Sequence, residues 1–112
     1  MSRRDDRVSL VDMLIYARES VGLLGEATLD DIVEDRVKQL ALTKLVEVVG
    51  EAARRVSEDT RRQNASIPWS QIIGLRNRLV HGYDDVDLEI LRSIIRNDMP
   101  PLIEQLETIV RE

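Results

Sequence analysis

One stretch limits the fold more than any other. Between Asp30 and Asp59 the chain carries two apolar stripes at helical spacing. Val37, Ala41, Leu45, Val48 and Ala52 form one; Leu42, Val46, Val49, Ala53 and Val56 form the other. A helix that covers a core on one side needs a single stripe. Two stripes predict a long helix buried on two sides, with one face in the core and the other against a second subunit. Gly50, Ala52 and Ala53 would let a neighbouring helix approach closely. Glu51 and Arg55 are spaced for a surface ion pair.

The remaining chain divides into further helices. Leu10, Leu14, Ala17, Val21 and Leu24 share one face, which predicts a first helix over Asp6 to Leu24, stopped at Gly25. Thr28 or Asp30 is placed to cap the next one. Arg61 to Ile67 is polar and reads as a loop. A third helix is expected from Pro68 to His81, with Pro68 as its first residue, Ser66 as its cap and Gly82 as its stop. After a loop at Tyr83 to Asp87, Leu88, Leu91, Ile94 and Ile95 point inward from a fourth helix. Pro100-Pro101 then either kinks it or separates it from a fifth helix that Asp98 caps.

With 112 residues, no Phe, no Cys and only five Gly and three Pro, the chain suits a single all-α domain over residues 1–112. The architecture expected is an antiparallel, up-and-down bundle of four to five helices. The lack of Cys removes disulfides, thiolate-held zinc and thiol nucleophiles. One His with scattered carboxylates forms no metal-ligand cluster, so neither a metal nor a cofactor is expected. No apolar run reaches the roughly 20 residues of a membrane span, and the N-terminal stretch lacks the apolar core of a signal peptide. A cytoplasmic location with no membrane partner is the default.

The net charge is −5, which argues against general coating of nucleic acid and against a classical DNA-binding helix-turn-helix. The charge is uneven, however. Arg54, Arg55, Arg61, Arg62, Arg76 and Arg78 face only Glu58 and Asp59 between positions 54 and 78, which leaves room for a local anion site.

The segment from Trp69 to Tyr83 concentrates the candidate chemistry. Trp69, Ile73, Arg76 and Val80 fall on one face of a continuous helix, which would set Arg76 among apolar residues. A guanidinium there needs an acidic partner, such as Glu47 or Glu51, or an anionic ligand. His81, the single histidine, lies about 140° further round an ideal helix. It suits either carbonyl capping at a helix end or proton transfer near neutral pH.

Arg76-Asn77-Arg78-Leu79-Val80-His81 resembles the Arg-x-x-x-x-His motif of the HEPN superfamily. His81-Gly82-Tyr83 extends it to the Arg-x-x-x-x-His-x-Tyr form of HepT-like toxins. Leu45 to Ala53, Ile67-Pro68-Trp69 and Asn97 to Pro100 are similar to that family's flanking segments, so the resemblance spans nearly the whole chain. It implies a HEPN-like bundle, a homodimer with the motif at its interface, and metal-independent cleavage of an RNA substrate such as a tRNA or an mRNA. It also implies an MNT-type nucleotidyltransferase antitoxin that transfers AMP to the motif tyrosine, here Tyr83, as in a type VII-like toxin–antitoxin module.

In that scheme Arg76 and His81 are catalytic. Asn77 and Arg78 bind or orient the substrate, with plain surface roles open for both. Tyr83 is the modification site or a residue that packs against the bundle end. The competing reading is a non-catalytic helical partner of a nucleotidyltransferase.

Overall fold

The computed structural model describes residues 3–80 and 85–111. Within them the fold is all-helical, apart from one isolated antiparallel bridge between Val80 and Val86. The helices are α1 (Arg3–Leu24), α2 (Leu29–Val33), α3 (Arg36–Arg55), α4 (Glu58–Gln63), α5 (Trp69–Ile73), α6 (Leu75–Leu79), α7 (Leu88–Ser93) and α8 (Met99–Arg111). A π-helical turn, Ile94–Asp98, joins α7 to α8 without a break.

The rods pack up and down as expected. Asp6 at the start of α1 meets Ser57 just past the end of α3. Arg7 donates to the Val110 carbonyl at 2.7 Å, near the end of α8. Both neighbours therefore run antiparallel to α1. Arg18 and Glu107 pair across the same α1–α8 seam. The core gathers Met13 and Ala17 from α1, Leu42, Val46 and Val49 from α3, Leu79 from α6, and Leu91, Ile94 and Leu106 from the C-terminal rod. No described helix is long and apolar enough to cross a membrane.

Polar residues set the helix boundaries. Gly25 adopts φ +51°, the left-handed region, and ends α1. Thr28 opens α2 with a reciprocal capping box to Asp31. The helix expected over Asp30 to Asp59 is in fact three. Asp35 accepts from the Lys38 amide and Ser57 from the Thr60 amide, so α3 and α4 each start at a fresh cap. The polar Arg61–Ile67 stretch is likewise helical as far as Gln63.

The inner stripe of α3 is fully buried, from Leu42 to Val56. The outer stripe runs from a buried Ala52 to a Val37 that is 77% exposed. Glu51 and Arg55 form no ion pair with each other.

The π-turn settles the choice between a kinked rod and two helices. Pro100 and Pro101 lack N–H groups, and their rings crowd the carbonyls one turn earlier. The backbone widens there, and the Met99 amide reaches the Ile94 carbonyl five residues back. Asp98 caps nothing; its carboxylate pairs with Arg78 at 3.1 Å.

One buried carboxylate ties α1 to the α3–α4 corner. Asp6 is 4% exposed. It accepts from the Ser57 amide at 2.9 Å, the Ser57 hydroxyl at 2.7 Å and the Thr60 hydroxyl at 2.6 Å. Burial pushes its pKa up, but these donors outweigh burial and hold it below the ordinary value. A depressed carboxylate adds stability above its unfolded pKa, and that contribution is lost as pH falls through the folded one. Asp6→Asn should therefore cost about 1–3 kcal/mol at neutral pH. It should also flatten the loss of stability below about pH 4. Urea unfolding of both proteins at pH 7 and pH 3 measures each effect.

Candidate active site

α6 is a single short turn, held by its buried pair Leu75 and Leu79. Its position depends on α5, which lies against α3 at Gly50. A Cβ built on Gly50 would stand 2.9 Å from the Ile72 carbonyl oxygen, so only glycine allows this approach. Trp69 anchors the other end of α5; its indole N–H donates to the Asn64 carbonyl at 3.0 Å.

The helix expected from Pro68 to His81 is broken. α5 stops at Gly74, α6 stops at Leu79, and Val80 is extended. Pro68 precedes the first helical turn, and no side chain caps it, Ser66 included. The break overturns the expected burial of Arg76 among apolar residues. Restarting at Gly74 rotates Arg76 off the Trp69–Ile73 face, and its side chain is 60% exposed. It still finds one of the two acids considered for it. Nη1 lies 3.3 Å from Glu47 Oε2, and Glu47 is only 22% exposed. That carboxylate orients the guanidinium while leaving its other N–H groups toward solvent.

Arg76 opens onto a groove of about 550 Å³ between α3 and the start of α7. Arg36, Thr43, Lys44 and Glu47 line it from α3, and Val80 and Asp85 from the other wall. Val80 and Asp85 immediately flank residues 81–84. The Val80–Val86 bridge and the Asp87 amide, which donates to the Leu79 carbonyl at 2.8 Å, pin the chain on both sides of that segment. His81, the expected stop Gly82 and Tyr83 lie outside the described residues. Val80 and Asp85, the described residues on either side of them, both line the Arg76 groove.

Asn77 and Arg78 do not join it. Arg78 points to the far side of α6, where it pairs with Asp98 beside an apolar pocket. Asn77 lines a separate groove with Arg54 and Trp69. Arg36 and Lys44 were not singled out from the sequence. Arg36, Leu40, Thr43 and Glu47 repeat at spacings of four, three and four, and that polar-edged stripe was the available signal.

The arrangement is a helical domain with an arginine-bearing groove walled by α3 on one side and by Val80, Asp85 and Val86 on the other. The HepT-like ribonuclease family matches residues 13–109, and the chain belongs to that family, a ribonuclease of the HEPN type. Several relatives match over nearly their full length. Two proteins of Methanocaldococcus jannaschii, each assigned as an RNase by inference, are 28% identical over 97% of this chain and all of their own, and 30% identical over all of this chain and 93% of their own. A Thermococcus cleftensis protein assigned as ribonuclease HepT is 29% identical over 88% of this chain and 93% of its own. No solved structure gives a significant match.

The close approach at Gly50 offers a test of how the motif helix is seated. Gly50→Ala should cost about 1–3 kcal/mol, because the Cβ meets backbone that must move. Gly22→Ala meets nothing within 4 Å on α1 and should stabilise by up to about 1 kcal/mol. Thermal unfolding of the two variants reads the contrast.

Proposed function

We propose that the chain is a metal-independent endoribonuclease working as a homodimer, with Arg76 and His81 at its active site. The observation that carries this reading is the exposed, Glu47-oriented Arg76 in a groove that Val80 and Asp85, the described residues flanking positions 81–84, also line.

The chemistry follows from the residues. The ribose 2′-oxygen attacks the adjacent phosphorus, and its proton passes to a base. The bond from phosphorus to the 5′-oxygen breaks, and an acid supplies that oxygen's proton. Imidazole suits both transfers near neutral pH. Arg76 holds the phosphate through paired N–H donors and stabilises the charge that develops on it. The products are a 2′,3′-cyclic phosphate and a free 5′-hydroxyl.

A dimer supplies the second histidine. Support comes from Val37 and Leu40, one turn apart on α3 beside the groove and exposed by 77% and 55%, and from Val33 at the end of α2, exposed by 54%. A second copy covering this face would bring its own groove alongside. Tyr83, two residues after His81, is the proposed acceptor of AMP from a nucleotidyltransferase antitoxin. The added phosphodiester would bring bulk and negative charge to the groove and oppose entry of RNA.

Arg76→Ala and His81→Ala should each reduce RNA cleavage by at least about 100-fold while leaving the circular dichroism spectrum intact. Cleavage by the wild type should survive EDTA and leave 2′,3′-cyclic ends. Full activity in either variant, or a strict need for added metal, would refute the assigned roles. Co-expression with the nucleotidyltransferase should increase the mass of the wild type by one or more AMP units and leave Tyr83→Phe unchanged, as read by intact-mass spectrometry.

A further inference from the structure

The arginine-rich stretch noted in the sequence does not form a single patch. Arg76 and Arg78 leave it for opposite sides of α6. Arg54, Arg61 and Arg62 stay together and line an open groove of about 730 Å³, with Glu58 as the one acid among its lining residues. Trp69 and Asn77 form the wall toward the motif helix. This is a concentration of positive charge on a chain whose net charge is −5.

The cations are available to a ligand. Arg54 is exposed and makes no ion pair among the described residues. Arg61 spends only its Nε, which donates to the Val56 carbonyl at 3.0 Å and fixes the side chain. Arg62 pairs with Asp59 where both side chains are more than 70% exposed, a pairing that competes weakly with a phosphate.

The two grooves meet at the motif helix. Arg76 lines one and its neighbour Asn77 lines the other. On α3, Glu47 and Arg54 are seven residues apart, about two turns and 10 Å along the same helix face. A strand whose phosphate sits at Arg76 reaches Arg54 within a few nucleotides.

We infer that the Arg54, Arg61 and Arg62 groove is a phosphate-binding subsite for single-stranded RNA, holding the backbone of the strand as it leaves the Arg76 groove past Asn77. The inference rests on the ribonuclease reading above. A single strand is specified because attack by the 2′-oxygen needs freedom to align with the leaving group, and because an open groove edged by guanidinium groups tracks a backbone without reading its bases.

The test uses the full chain and two probes whose 2′-oxygens are methylated, so that neither can be cut: a 15-nucleotide strand and a dinucleotide with a single phosphate. Fluorescence anisotropy gives their affinities across a salt series. Arg54→Gln/Arg62→Gln alters two exposed side chains. It should weaken binding of the 15-mer about tenfold or more. It should also reduce the salt dependence by about 0.7 in logarithmic slope for each phosphate that is no longer neutralised. The dinucleotide, whose single phosphate occupies only the Arg76 groove, should be weakened much less. Glu58→Gln should shift the 15-mer the other way, tightening it about twofold.

Equal affinity of double variant and wild type for the 15-mer would overturn the inference and leave the groove to another partner, such as an acidic protein surface. Equal weakening of both probes would also overturn it, since the effect would then be a general change in charge. If the wild type binds the 15-mer and cleaves its unmethylated form while the double variant binds just as well, the subsite fails alone. If the wild type neither binds nor cleaves RNA, both readings fail together.

Discussion

Burial of one face of α3 is the constraint on which the rest of this molecule depends. Leu42, Val46, Val49, Ala53 and Val56 are removed from water against α1 and the C-terminal rod, and each large side chain among them contributes roughly 1.5–3 kcal/mol. With that face committed, the rotation of α3 is set. Glu47 and Gly50 must then lie toward α5 and α6. Gly50 admits the α5 backbone, and Glu47 meets the arginine that α6 delivers. A site on two very short helices is thereby referenced to one of the long rods of the bundle. A short helix needs this, because one turn has little stability of its own.

Much of this was legible in the sequence. The inner stripe of α3, the α1 face and the glycine stop at Gly25 follow from spacing and from backbone freedom, and all three are seen. Glu47 was named as a partner for Arg76 because a buried arginine would need one. The pairing exists even though the arginine is exposed. What spacing could not show were the breaks. Asp35 and Ser57 interrupt a pattern whose apolar period runs straight through them, because a cap competes locally with continuation of the helix. Gly74 changes the phase of the motif helix by restarting it, and a helical projection assumes one phase throughout. The two prolines at 100 and 101 look like a stop, yet a single wider turn absorbs them.

The same breaks shape the candidate site. A continuous helix from Pro68 would carry Arg76 into the apolar wall. The restart at Gly74 and the extended Val80 present it to a groove, and Val80 bridges to Val86 on the same wall. Division of the arginines follows as well: Arg78 serves a seam with Asp98, Arg76 serves the groove, and the three from α3 and α4 border a second groove on the other side of the motif helix. An acidic protein can in this way group positive charge locally without a basic surface overall, its reach limited by screening to about 10 Å at ordinary salt.

Photocrosslinking would place the RNA most directly. His81→Ala protein, bound to a 15-nucleotide strand containing thiouridine, is irradiated and digested, and the crosslinked peptides are identified by mass spectrometry. Crosslinks should fall on α3, α4 and the α5–α6 segment, on both sides of Asn77. Crosslinks confined to the exposed faces of α1 and α8, with none along that seam, would contradict the account.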